Sequence, residues 1–158
     1  MTGGSVSRKL LVGIVAVVVV AALAWLRAAT PASAKDVVEV WKSPTCGCCV
    51  AWAEHMERAG FRVKTHDTDD LVAVMSREGV PFELGSCHTA TVGGYVIEGH
   101  VPADLVKRLL RERPAAIKGL AVPGMVNGSP GMEGNGPAQH YRVIAFGEDG
   151  SATVYAER

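Results

Sequence analysis

The run Lys42-Ser43-Pro44-Thr45-Cys46-Gly47-Cys48-Cys49 limits the fold more than any other part of the chain. A strand-like stretch, Val37-Val38-Glu39-Val40-Trp41, leads into it, and residues from Val50 to Ala59 read as a helix after it. Three thiols in four residues therefore fall at a strand-to-helix turn. The first turn of a helix leaves backbone N–H groups unpaired and carries partial positive charge. That setting favours thiolate, the form of cysteine that attacks disulfides and binds metals. The rest of the chain is read as what holds this turn, exports it and completes it.

The elements around it follow from periodicity and punctuation. Thr45 is placed to cap the helix, whose core face is Cys49, Trp52, Ala53 and Met56, and Gly60 ends it. Phe61 to His66 alternates as a second strand. Asp67 to Asp70 supplies a turn and a cap, and Leu71, Val72 and Met75 mark a second helix that stops at Gly79 and Pro81. Thr89–Val92 and Tyr95–Glu98 form a hairpin about Gly93-Gly94. Pro102 opens a third helix with the apolar face Leu105, Val106, Leu109 and Leu110, closed before Pro114. The order β-α-β-α-β-β-α predicts an α/β fold, a small sheet covered by helices with β-α-β crossovers. Residues 114–140 are so rich in glycine and proline that they read as a loop without regular structure. A loop of that length is usually functional or disordered. Tyr141–Phe146 and Ala152–Ala156 suggest a C-terminal hairpin.

The chain has 158 residues. Residues 1–34 read as a signal peptide, or as an N-terminal membrane anchor if they are retained. Arg8-Lys9 precedes an apolar run from Leu10 to Leu26, and Ala32-Ser33-Ala34 resembles a cleavage site. Cleavage is the preferred reading. The run approaches the length of a membrane span, so membrane contact through this segment alone is the alternative. In both cases residues 35–158 form one domain outside the cytoplasm. Subtracting Arg8, Lys9 and Arg27 from the 16 basic residues leaves 13 against 16 acidic ones, a net of −3. That balance gives nucleic acid no purchase.

Four cysteines in an exported chain suggest disulfides. Cys46, Cys48 and Cys49 are too close together for an ordinary framework. A bridge within the trio is expected to be short and strained, and at most one member should pair with Cys87. Cys46 and Cys49 form a C-x-x-C of the thioredoxin-like redox type. Redox exchange has no need of Cys48, whereas clustered thiolates suit Cu(I) or zinc. Cys87-His88 precedes the third strand and should return beside the first helix, adding a thiol and an imidazole. Met125 and Met132 lie in the Gly/Pro loop, where thioethers serve either as soft ligands or as a plug over the domain. His100 is a weaker candidate. His55, His66 and His140 read as surface or structural residues, and Met56 and Met75 as core. Asp67, Asp69 and Asp70 lack the spacing of a calcium loop. A Cys₃His or Cys₄ set would also hold zinc, but zinc sites usually draw on two separated pairs. Three thiols at one turn with methionines in the chain favour copper.

Four segments carry a family likeness: Lys-Ser-Pro-Thr-Cys-Gly-Cys-Cys at 42–49, Ser-Cys-His-Thr-Ala at 86–90, Gly-Gly-Tyr-Val-Ile-Glu-Gly-His-Val-Pro at 93–102, and Gly-Leu-Ala-Val-Pro-Gly-Met at 119–125 with Gly-Ser-Pro-Gly-Met-Glu at 128–133. Over residues 36–157 the chain resembles the exported metal-binding proteins related to CopG, long classed as a domain of unknown function. The resemblance implies a thioredoxin-like fold and a role in copper resistance in the periplasm or on the outer face of the membrane. It also implies copper held by the C-x-C-C thiols, as one ion or a multinuclear cluster, with interconversion of Cu(I) and Cu(II). Cys46, Cys48 and Cys49 carry over directly, and Cys87, His88, Met125 and Met132 match the pattern as further metal residues. Copper ions and other envelope copper-handling proteins are the implied partners. The competing expectation is a thiol-disulfide oxidoreductase with Cys46 as nucleophile and Cys49 as resolving thiol.

Overall fold

Val38 and Val40 alternate with Glu39 and Trp41, and in the computed structural model, which describes residues 37–134 and 136–158, this stretch forms β1 (Val37–Lys42) with alternate residues buried. The chain continues through α1 (Gly47–Arg58), β2 (Arg62–Asp67) and α2 (Leu71–Glu78) to a 3₁₀ turn at Phe82–Leu84. β3 (His88–Val92), β4 (Tyr95–Glu98), α3 (Ala103–Glu112), β5 (Gly119–Ala121), β6 (Arg142–Phe146) and β7 (Ala152–Glu157) follow. The signal or anchor expected at residues 1–34 lies outside the described residues. Among those described, no helix is long and apolar enough to cross a membrane.

The seven strands make one mixed sheet in the order β2-β1-β3-β4-β5-β6-β7. The crossover through α1 makes β1 and β2 parallel, and the hairpins make β3–β4 and β6–β7 antiparallel. On one face Trp52 and Met56 of α1 and Leu105, Val106 and Leu109 of α3 pack on Val38, Val40, Ala90, Val92 and Ile97. Burying each large side chain stabilises the fold by about 1.5–3 kcal/mol. On the other face Met75 of α2 joins Leu84, Val96, Ala121 and Phe146 in a smaller core.

Residues 114–140 depart from the expectation of a structureless loop. Gly119-Leu120-Ala121 forms β5, buried and paired in parallel with β4 and antiparallel with β6. The glycine that reads as a loop signal is there for close approach. A Cβ on Gly119 would run into the Val96 carbonyl oxygen and the Phe146 ring.

Register brings the chemistry to one end of the sheet. Lys42 at the end of β1 pairs with His88 at the start of β3, Thr89 with Glu98 at the end of β4, and Glu98 with Ala121 at the end of β5. The thiol turn, Cys87-His88, His100 and the loop after β5 all leave the sheet from this end.

Candidate metal centre

The helix after the thiol turn begins at Gly47, and Cys46, not Thr45, occupies the capping position. Its sulfur accepts from the Cys49 N–H at 3.3 Å, while the Thr45 hydroxyl faces Ser43 at the surface. Cys46 and Cys49 are joined by a disulfide across one helical turn, with Cα atoms 5.3 Å apart. That separation lies within the ordinary range for a disulfide. The expectation that a bridge inside the trio is short and strained is corrected for this pair, because a helical turn separates its members. Cys48 stays free, its sulfur 3.5 Å from that of Cys46 and 3.8 Å from that of Cys87. The Cys49 sulfur also lies 3.3 Å from the Cys87 carbonyl oxygen.

Cys87 links the sulfurs to two imidazoles. Its sulfur is 3.4 Å from His88 Nδ1 and 3.1 Å from His100 Nε2. His100 Nδ1 lies 2.7 Å from the Pro130 carbonyl oxygen. Only a protonated nitrogen can donate to that oxygen, so Nδ1 carries the hydrogen and Nε2 turns its lone pair toward Cys87. His88 is fully buried, its ring 4.5 Å from that of Trp52 and edge-on to His100 at 5.0 Å. The Trp52 indole N–H donates to the Val101 carbonyl at 2.9 Å, which fixes the wall on which His88 rests. Among the described residues His88 Nε2 has no hydrogen-bond partner.

Burial sets the charge state of this cluster. It pushes the Cys87 thiol up to about 12, helped by Cys48 beside it. Burial also brings His88 down to about 3, with His100 adding to the shift, and lowers His100 below its ordinary value. At neutral pH Cys87 is a thiol and both imidazoles are uncharged. The four sulfurs of Cys46, Cys48, Cys49 and Cys87 lie within 4.8 Å of one another, as do the ligand atoms of Cys87, His88 and His100. Sulfur and neutral imidazole without a carboxylate suit a soft cation and not calcium or magnesium.

The structure thus gathers Cys46, Cys48, Cys49, Cys87 and His88, and adds His100, which sequence reasoning ranked too low. The signal was available. The two-residue turn at Gly93-Gly94 pairs Val92 with Tyr95 and Thr89 with Glu98, and two more steps along that register set His100 opposite Cys87. The methionines lie on the loop that frames the centre. Gly124 N donates to the Gly85 carbonyl at 3.0 Å, leaving Met125 beside the Cys87 segment and 62% exposed. Gly131 lies on the start of α1, where a Cβ would sit 2.7 Å from Trp52 N and 2.8 Å from the Cys48 carbonyl oxygen. Met132, next along the chain, is half-buried.

Residues 84–132 match a family described as "Protein of unknown function, DUF411". Two solved structures, named copper resistance protein CopG forms 1 and 2, are each 43% identical to this chain with a TM-score of 0.73. The similarity covers 77% of this chain and 97% and 96% of theirs. No curated protein matches.

Proposed function

Because the chain belongs to the CopG-like DUF411 family, we propose that it handles copper outside the cytoplasm by binding Cu(I) at the sulfur cluster of Cys46, Cys48, Cys49 and Cys87. The observation that carries this reading is the convergence of four sulfurs, three from one helix start and one from the residue just before β3, within 4.8 Å. A framework protein spreads its cysteines, and a redox pair needs only two. The copper resistance named for the related structures agrees with it.

The cargo is one Cu(I) ion or a small cluster. His88 and His100 border the sulfurs, and Met125 and Met132 supply thioethers from the loop. A mixed sulfur and nitrogen donor set serves both Cu(I) and Cu(II), so interconversion of the two belongs to this reading. The signal at residues 1–34 would put the domain in the periplasm or on the outer face of the membrane, among other copper-handling proteins of the envelope. Full-length reduced protein titrated with Cu(I) against a chelator should bind tightly, and Cys48→Ser should cut uptake sharply. Unchanged uptake in that variant would overturn the reading.

One observation favours a second reading. The Cys46–Cys49 disulfide at a helix start is what a thiol-disulfide oxidoreductase would carry. Cys46→Ser would then abolish disulfide exchange, and Cys48→Ser would be nearly silent.

A further inference from the structure

The last residue of β4 is a carboxylate where the strand's other residues are apolar or aromatic. Glu98 is fully buried, and among the described residues no lysine or arginine pairs with it. A carboxylate is expensive to bury unless its oxygens are satisfied. Here they are: Oε1 accepts from the Ser86 N–H at 2.7 Å and Oε2 from the Thr89 hydroxyl at 2.7 Å. Those two residues stand on either side of Cys87-His88. Glu98 faces the smaller core with Val96 and Thr89, so it grips the pair from the side of the sheet opposite Trp52.

Glu98 also leads directly into His100. Gly99 between them adopts φ +67°, donates its N–H to the His88 carbonyl at 2.9 Å, and packs so closely that a Cβ would strike the Ser86 side chain and the Val122 carbonyl oxygen. The Ser86 hydroxyl in turn donates to the Gly124 carbonyl on the loop that carries Met125. One carboxylate therefore stands where the segment bearing Cys87 and His88 meets the segment bearing His100.

We infer that Glu98 is a positioning residue for the metal centre: by bracketing Cys87-His88 through Ser86 and Thr89, it fixes the Cys87 sulfur against Cys48 and His100. Its task is hydrogen bonding, not charge. Glutamine can do the same, accepting from Ser86 through its carbonyl oxygen and donating to the Thr89 oxygen. Alanine cannot, and it leaves the Ser86 N–H and the buried Thr89 hydroxyl without their acceptor. The inference rests on the copper reading of the same site.

The test uses full-length reduced protein, with Cu(I) competed against a chelator and, separately, the rate of Cys87 alkylation in the metal-free protein. Circular dichroism checks the fold. Glu98→Ala should weaken copper binding about 10–100-fold, the usual cost of removing a group that orients a metal ligand, and should speed alkylation of Cys87. Glu98→Gln should stay close to wild type in both. Wild-type copper affinity and alkylation in Glu98→Ala would overturn the inference, as would a Glu98→Gln variant as weak as alanine. Should Glu98→Ala fail to fold, Thr89→Val removes one arm of the bracket, and its matching wild type in both measurements would also overturn the inference. Should wild-type protein take up no copper, the copper reading fails, and the alkylation rates still decide whether Glu98 holds Cys87.

Discussion

His100 stands opposite Cys87 across the β3–β4 hairpin, with Nε2 3.1 Å from the thiol sulfur and Nδ1–H on the Pro130 carbonyl oxygen at 2.7 Å. One imidazole ring thus ties the sulfur cluster to the loop after β5. The same loop meets the cluster again at Gly131, which rests on the backbone of Cys48 and Trp52. The loop is held at both ends of a short path, by a hydrogen bond and by a close contact that only glycine permits.

That contact can be tested with two alanines. Gly131 and Gly134 both adopt positive φ, +84° and +94°, so alanine at either costs about 1–2 kcal/mol in backbone strain. A Cβ at Gly134 meets nothing within 4 Å, whereas at Gly131 it meets the start of α1. Gly131→Ala should therefore destabilise the protein by about 1–3 kcal/mol more than Gly134→Ala, as read by urea denaturation. It should also weaken copper retention, since His100 and Met132 move with the loop. Equal losses in the two variants would mean that the loop does not press on the helix.

Much of this was legible in the sequence because the signals were local. Alternation over Val37–Trp41, helical spacing of Cys49, Trp52, Ala53 and Met56, and the Gly93-Gly94 turn each depend on near neighbours, and each element formed where expected. The convergence of the Cys46–Cys49 turn with Cys87-His88 also followed from element order. β5 was missed because Gly119 serves a tertiary contact with Val96 and Phe146 that leaves no periodic trace. The cap passed from Thr45 to Cys46 because the two are neighbours in sequence and hydrogen-bond geometry chooses between them. The disulfide within the trio was misjudged because Cys46 and Cys49, close in sequence, are spread by a full helical turn to an ordinary bonding distance. His100 was legible but underweighted, since the hairpin register alone sets it opposite Cys87.

Cys87 makes copper binding a proton-releasing event. Its thiol, pushed up to about 12 by burial and by Cys48, is protonated at any physiological pH. Copper must displace that proton, so raising the pH by one unit should strengthen Cu(I) binding by about tenfold for this ligand, up to its folded value. In weakly buffered solution, saturating reduced protein with Cu(I) should release protons, and Cys87→Ser should release at least one fewer per molecule. An equal proton yield in the variant would remove Cys87 from the ligand set.

In metal-free protein the buried imidazoles should cost stability on acidification. His55 Nε2 accepts from the Ala103 N–H at 3.1 Å, serving as the cap that Pro102 cannot supply to α3. Burial holds His55 below its ordinary 6.5, as it does His88 and His100. Below 6.5 the unfolded chain binds protons that the folded one refuses, so stability present above that pH falls as the pH drops toward the folded values. Glu98 pulls the other way. Burial raises it to about 7, and its contribution is complete below 4.5 and lost as the pH climbs through 7. The two effects oppose each other between pH 7.5 and 5.5, so the imidazoles are read with the carboxyl removed: metal-free Glu98→Gln should fall in melting temperature over this interval. Adding His55→Gln should make that fall shallower, not flat, because His88 and His100 remain. A melting temperature of Glu98→Gln that rises over this interval would mean that the imidazoles are not held neutral.

The Cys46–Cys49 bond decides how many sulfurs the centre can offer. With the bond in place, two thiols remain, Cys48 and Cys87, beside His88 and His100. Reduction by an external dithiol delivers two electrons and two protons, opens the bond and yields two further thiols. Disulfide sulfurs bear no negative charge and are poor ligands beside thiolates, so the two states differ in donor number and in charge. Reduced protein should bind more Cu(I) per molecule than oxidised protein, and at least about tenfold more tightly, a difference of about 1.4 kcal/mol. Chelator competition on the two forms under anaerobic conditions measures this, with a thiol count of four against two fixing each starting state. Cys46→Ser, which cannot form the bond, should bind equally with or without the reducing step, at a level below the reduced wild type. Equal copper binding by both forms of the wild type would mean that Cys46 and Cys49 take no part in holding the metal, and would leave it to Cys48, Cys87, the two histidines and the loop methionines.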